Sequence, residues 1–464
     1  MSRDTAIANA REAFDSGAFK KVLASRIALP TESQNPARAQ ELDDYVRKLM
    51  VPELERLGFT CKIIKVEGAK GPFLIAERIE DPAKVTVFGY GHGDTVLGME
   101  GRWIDNLNPF ELTERDGNWY GRGVVDNKGQ HSINLAALEA VLKARGKLGF
   151  NARYLIEMGE ETGSPGLAML AREHGDLLAA DVLIGSDGPR LHRERPDLSL
   201  GTRGALNFDL SIEAREGGHH SGNWGGLLSD PGIELAHAIA SMTGPTGQIR
   251  ISEWVPAELP ANVRRVLAGV EPGGDPGTPA IDRDWGEAGL TPAERVFGWC
   301  SFSVLAFTCG TPEAPVNAIP PRAWARCQLR FVVGIDPEDI VPALRRHLRR
   351  HGFGKVQVEP SRESFFKASR LDPEHPWVKF VAGSLERTGG QAPTIIPNAG
   401  GSLPNDIFSE TLGLPTIWIP HSYGGCSQHA PNEHVPKALV REALELMAGL
   451  YFDIGEGKHP GKKR

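Results

Sequence analysis

Apolar residues recur at helical spacing through the first 60 positions, are interrupted at Ala28-Leu29-Pro30-Thr31-Glu32-Ser33, and resume over 39–57. Strand-like apolar runs follow at 61–66, 73–76 and 84–91, the last running into His92-Gly93-Asp94-Thr95-Val96. An Ala- and Leu-rich stretch over 129–145 predicts a helix, and 152–158 predicts a strand ending at Gly159-Glu160-Glu161-Thr162-Gly163-Ser164. A helix near 167–174 and a strand at 181–185, leading into Ser186-Asp187-Gly188, complete the series. Strands alternating with helices predict an α/β layer built on a mixed, mainly parallel sheet.

The pattern changes near residue 201. Positions 206–212 and 325–332 alternate apolar with polar, as half-exposed strands do. Helices are expected at 232–242 and 337–351, and a further strand at 356–358. Residues 256–292 are dense in Pro, Gly and Asp, which predicts a long surface excursion. Near 366 the α/β pattern returns and runs to a final helix at 437–451. The expected organisation is a catalytic domain in two segments, 1–200 and 366–464, interrupted by an inserted α+β lid domain at 201–365. The sequence has no internal repeats.

At 464 residues the chain exceeds one ordinary core. Its 40% hydrophobic and 24% charged content is that of a globular protein, and its net charge of -7 gives no reason to expect nucleic acid or anionic membrane as a partner. The basic end, Lys458, Lys462, Lys463 and Arg464, reads as a solvated terminus. No run of about 18 apolar residues predicts a membrane span. The first 21 residues carry scattered charge and no apolar h-region, so no signal peptide is expected. Five widely spaced cysteines form no CxxC pair, which fits a reducing, cytoplasmic setting and predicts neither a thiolate metal site nor a disulfide framework.

Catalytic groups of open α/β sheets gather at the carboxyl ends of strands. His92 with Asp94, Glu160 with Glu161, and Asp187 stand at such ends. Asp126, in Gly121-Arg122-Gly123-Val124-Val125-Asp126-Asn127-Lys128-Gly129, and His429, in Ser427-Gln428-His429-Ala430-Pro431-Asn432-Glu433, stand in loops. Each alone has an ordinary explanation as a surface charge or a turn residue. Together, two histidines and three carboxylates are the donor set of a two-metal centre, with one carboxylate bridging. Nitrogen and oxygen donors without thiolates suit zinc, manganese or cobalt.

The ordered set HGDTV, GRGVVDNKG, GEETGS, SDGP and QHAPNE resembles the M20 metallopeptidase family of dipeptidases, carboxypeptidases and N-acyl-amino-acid deacylases. The resemblance implies that His92, Asp126 and Asp187 hold one metal and that Asp126, Glu161 and His429 hold the other. It implies that Asp94 orients the His92 ring, and that Glu160 is the general base, taking a proton from the water between the metals and passing it to the leaving nitrogen.

In the inserted domain, Gly218-His219-His220-Ser221-Gly222-Asn223-Trp224-Gly225-Gly226 resembles the family's lid motif. There a histidine, placed here on His220, reaches the partner subunit's site and stabilises the oxyanion, which implies a homodimer formed through the lid. Asn317 and Arg330 resemble the pair that meets the substrate's carbonyl and carboxylate in the dipeptidase branch, and Gly400-Gly401-Ser402 resembles the loop that hydrogen-bonds the carboxylate end. The wide separation of His220 from Asn317 favours the larger lid of carnosinase-like dipeptidases. Asn398 stands where that branch leads one to expect a basic residue, which points away from a plain dipeptide. Trp224 and Tyr423 suit either a bulkier ligand or ordinary packing.

Other classes fit less well. Gly185-Ser186-Asp187-Gly188 is not a G-x-S-x-G elbow, and Gly89-Tyr90-Gly91-His92-Gly93 is not a dinucleotide fingerprint. A two-metal phosphoesterase would need a phosphate cradle that the loops do not offer. A binding protein that kept the fold and lost the chemistry would lack a ligand, and none is missing. The expected activity is cleavage of an amide in a small carboxylate-bearing substrate, a dipeptide in the first place. The alternatives are deacylation of an N-acyl amino acid or hydrolysis of an unusual catabolic amide or amine.

Overall fold

The computed structural model describes residues 2–276, 278–361 and 366–462; Lys463, Arg464 and the expected boundary residue 365 lie outside them. An eight-stranded sheet forms the centre of the larger unit. From one edge its order is Thr60–Ile64, Phe73–Arg78, Asn151–Glu157, Thr86–His92, Val182–Gly185, Thr416–Trp418, Asp197–Ser199 and Thr394–Ile396. The four middle strands, Asn151–Glu157 through Thr416–Trp418, run parallel, and antiparallel pairings flank them. Their sequences are nearly continuous apolar runs because both faces are covered, which is the condition under which parallel strands form.

One face packs on the Lys128–Arg145 and Lys437–Gly455 helices and the N-terminal helices Arg3–Asp15 and Ala18–Ile27. Close approach fixes one glycine: a Cβ at Gly91 would lie 2.5 Å from the His131 Cβ, so a larger residue would push the Lys128–Arg145 helix off the strand. Because the four parallel strands share a direction, the loops after His92, Glu157, Gly185 and Trp418 all open on the same edge of the sheet.

The second unit is a four-stranded antiparallel sheet in the order Ser301–Cys309, Arg322–Phe331, Gly204–Glu213, Gln357–Pro360. Gly204–Glu213 and Arg322–Phe331 alternate buried with half-buried positions, as their sequences predict. Their inner residues, among them Phe208, Leu210, Ala325 and Leu329, pack under the Pro231–Met242 and Ile340–Arg350 helices. Each large one contributes about 1.5–3 kcal/mol of burial. This apolar cluster draws only on residues between Leu206 and Ala368, whereas the main cluster draws on both ends of the chain.

The Ser301–Cys309 strand was not foreseen, because its run Phe302-Ser303-Val304-Leu305-Ala306-Phe307 shows no clean alternation; it lies at the sheet edge with Val304, Leu305 and Phe307 exposed. The 256–292 excursion is more ordered than its composition suggests. It holds the Ala261–Leu267 helix and packs Leu259, Val263 and Leu267 against Phe297 and Ile396. No helix among the described residues is long and apolar enough to cross a membrane.

Candidate metal centre

The five expected ligand residues converge where the parallel strands end. One ligand atom from each of His92, Asp126 and Asp187 lies within 4.8 Å of the others, and the same holds for Asp126, Glu161 and His429. Asp126 belongs to both groups: its Oδ1 is 3.1 Å from His92 Nε2 and its Oδ2 is 2.9 Å from His429 Nε2. His429 Nε2 also lies 3.0 Å from Glu161 Oε2, and His92 Nε2 lies 3.6 Å from Asp187 Oδ2.

Each ligand is held from behind. His92 turns its Nδ1 toward Asp94, 3.1 Å from the carbonyl and 3.4 Å from the carboxylate, which directs Nε2 into the cluster. The Asp94 carboxylate also accepts the backbone N–H groups of Glu160 and Glu161, each at 3.2 Å. The Asp126 loop closes around Glu433, whose carboxylate accepts the N–H groups of Gly123, Val125 and Asp126 and a 2.8 Å bond from Arg122. Both members of that ion pair are buried. Asn127 donates to the Ser186 carbonyl at 2.8 Å, tying the Asp126 loop to the Asp187 loop.

The His429 loop places Ser427, His429 and Asn432 at positive φ, a region costly for side-chain-bearing residues unless contacts hold it. Arg122 Nη2 donates to Ala430 O, and Ile104 N donates to Asn432 Oδ1 at 2.7 Å, which supplies those contacts.

The electrostatics calls for cations. Burial, reinforced by neighbouring carboxylates, pushes Glu160 well above the usual carboxylate range, Glu161 up to about 7 and Asp187 up to about 6. Hydrogen bonds to Asp126 and Glu161 raise His429 to about 11. The buried His92 is raised as well, its desolvation overcome by bonds to Asp126 and Asp94. The buried oxygens Glu161 Oε1 and Asp187 Oδ2 have no hydrogen-bond partner among the described residues. A cluster with surplus carboxylates and orphaned buried acceptors fits divalent ions, and its imidazole and carboxylate donors suit the borderline-hard metals.

A cavity of about 570 Å³ opens on this cluster and is lined by Asp126, Glu160, Asp187 and His429 on one side and by Gly400, Gly401 and Ser402 on another. The Glu160 side chain borders it and makes no hydrogen bond among the described residues. Arg330 stands behind the loop, donating to Ser402 Oγ at 3.3 Å and to Gly400 O at 3.4 Å, with no carboxylate partner among the described residues. Arg203, which the sequence reading passed over, shares the Gly400 carbonyl at 3.1 Å and receives the Ser402 hydroxyl on its own carbonyl.

His220 and Asn317 are brought together but not into the cavity. The His219–His220 strand pairs with Ala318–Ile319, and Ser221 donates to the Asn317 carbonyl, leaving both side chains exposed on the second unit. Asn398 is buried in a structural role, donating to Thr202 O and Ser369 O. Tyr423 is buried, which fits packing; Trp224 lies edge-on to His219 but is 45% exposed, and neither lines the cavity. Sequence reasoning also gave no role to Arg122, Asn127 or Glu433. Their place inside the quoted motifs was the only available signal.

Comparison with known proteins shows the family. The family model for peptidase family M20/M25/M40 matches residues 89–453. The chain is similar to the Beta-Ala-His dipeptidase of Mus musculus, 25% identical with 96% of this chain and 94% of the mouse protein aligned. It is 30% identical to the Cys-Gly metallodipeptidase DUG1 of Saccharomyces cerevisiae, over 81% of each. Among solved structures, an M20 family metallo-carboxypeptidase from Sulfolobus solfataricus superposes with a TM-score of 0.77 at 25% identity, covering 94% of this chain and 99% of that one.

Proposed function

The chain belongs to peptidase family M20/M25/M40, and from that premise we propose that it is a two-metal hydrolase cutting the amide bond of a small carboxylate-bearing substrate, of dipeptidase or carboxypeptidase type. The observation that carries this reading is the pair of three-donor groups sharing Asp126 at the floor of a substrate-sized cavity. His92, Asp126 and Asp187 would hold one divalent ion and Asp126, Glu161 and His429 the other, zinc in the first place, with manganese or cobalt as alternatives. Divalent ions held there would supply Lewis acidity, for the scissile carbonyl and for a water near neutral pH.

The protein's own groups do the rest. Asp94 fixes the His92 ring through Nδ1. Glu160 takes the proton of the attacking water and delivers it to the leaving nitrogen; a side chain without hydrogen bonds among the described residues, beside Asp126 and Asp187 on the cavity lining, supports that role. Ser402 and Gly401, which line the cavity, receive the substrate's carboxylate, with Arg330 behind Ser402 supplying the positive charge, a task suited to a guanidinium without an acidic partner among the described residues.

His220 and Asn317 act on the site of a second copy, meeting the oxyanion and carbonyl there. Their joint exposure outside their own cavity supports this, as do the apolar edge strand Ser301–Cys309 and the exposed Leu227, Ile233 and Val316, which suit a homodimer through the lid. The segmentation at 201 and 366 is our reading too, supported by the separate apolar cluster of the inserted part. Five unpaired cysteines suit a cytoplasmic protein.

The test is a substrate panel of dipeptides and N-acyl amino acids with matched carboxylate ends, assayed with zinc, manganese and cobalt. Cleavage of dipeptides is expected. Cleavage of the N-acyl series alone would assign the deacylase branch instead, and cleavage of neither series would contradict the amide-hydrolase reading.

A further inference from the structure

We propose that the carboxylate-bearing half of the substrate carries a bulky apolar side chain, and that Pro272, Pro279 and Ile281 of the Pro- and Gly-rich excursion, with Phe297 and Ile396, form the subsite selecting it. The inference rests on the amide-hydrolase reading above and names the substrate class of that site.

Residues of this excursion form part of the wall of the cavity that opens on the acidic cluster. Pro272, Pro279 and Ile281 line the cavity, together with Phe297 from the Pro292–Phe297 helix that follows. The wall is rigidly backed, because Phe297 and Ile396 belong to the apolar cluster with Val263 and Leu267. Ile281, by contrast, is 41% exposed, so its side chain retains apolar surface for a ligand to cover.

Position decides which half of the substrate meets this wall. A Cβ on Gly400 would lie 3.6 Å from Val296 Cγ2, which sets the Pro292–Phe297 helix directly against the loop assigned to the carboxylate. Ile396 ends the strand leading into that loop. A side chain on the residue whose carboxylate sits at Ser402 therefore has the apolar wall as its nearest surface. The wall residues named carry no charge, so a charged side chain set against them would lose water without gaining a partner from them; the charged lining residues Arg190, bound to Glu442 through Nη1 at 2.6 Å, and Asp197 lie elsewhere on the lining. A glycine would leave the wall wet and contribute nothing.

Two measurements test this. The first compares kcat/KM for Ala-Gly, Ala-Leu, Ala-Phe and Ala-Asp and for the corresponding N-acetyl amino acids, in wild type, Ile281→Asp and Phe297→Ala. The second titrates the metal-replete protein with free glycine and free phenylalanine, the products of the leaving half. The expected result is a preference for Phe over Gly of roughly 10- to 100-fold in whichever series is cleaved, the scale of apolar-pocket discrimination. Phenylalanine should bind more tightly than glycine, and Ile281→Asp should shrink the Phe-to-Gly ratio several-fold. Ile281 is half-exposed, so that variant keeps its fold even if Phe297→Ala does not.

Cleavage with a flat or glycine-favouring series, or a ratio that Ile281→Asp leaves in place, overturns the subsite. If nothing is cleaved but phenylalanine still binds more tightly than glycine, the hydrolase reading fails and the subsite stands. If nothing is cleaved and the two bind alike, both fail.

Discussion

Glu160→Gln should lower kcat by roughly 10²–10⁴-fold, the usual worth of a positioned general base, while metal content and melting temperature stay at wild-type values. Glutamine keeps the volume and the backbone N–H that Asp94 accepts, so the loop geometry survives. What it loses is the capacity to take a proton. Glu160 is in neither three-donor group, so the ligand count is unaffected. Loss of metal with activity would instead make Glu160 a ligand. The same variant probes the lid. His220→Ala should also be slow, because His220, exposed and outside its own chain's cavity, acts in this proposal on the site of the neighbouring subunit. Mixed with Glu160→Gln subunits, it should regain activity through sites that combine an intact Glu160 with an intact His220. A mixture no faster than its two components would remove His220 from the neighbouring site.

The largest stability effect is expected at Glu433. It makes no contact with substrate in this account, yet it accepts three backbone N–H groups of the loop that carries Asp126 and forms a buried pair with Arg122. Glu433→Ala leaves the Arg122 guanidinium buried and uncompensated, which costs about 3–5 kcal/mol, and orphans the three amides besides. A marked fall in melting temperature should accompany weaker metal retention, because the bridging carboxylate loses its frame. Adding Arg122→Met should restore part of the stability by removing the stranded charge, but not the loop geometry. An unchanged melting temperature in Glu433→Ala would show that the loop is held by other contacts.

These two residues also mark how far the sequence could be read. Glu160 was legible because a pair of glutamates directly after an apolar strand has a chemical meaning that local pattern reveals, and His92 and Asp187 were legible for the same reason. Glu433 was in view within its motif, but its role depends on amides 307–310 positions away in sequence, a distance no local pattern spans. The Ser301–Cys309 strand escaped because a sheet edge with exposed apolar residues lacks the alternation of a half-buried strand. The excursion over 256–292 read as surface because Pro and Gly signal turns, while the apolar residues between them found their partner in Ile396, more than 100 positions on. Arg203 gave no signal at all; only the fold sets it beside Gly400.

The central claim is that one carboxylate serves two ions, and the most direct measurement is the metal content of wild type and Asp126→Ala after chelation and reloading with zinc. Because Asp126 belongs to both donor groups, wild type should take up two ions per chain and Asp126→Ala should retain neither, with activity lost in step. An Asp126→Ala protein that still holds one ion, or a wild type that binds none from zinc, manganese or cobalt, would contradict the shared-carboxylate site.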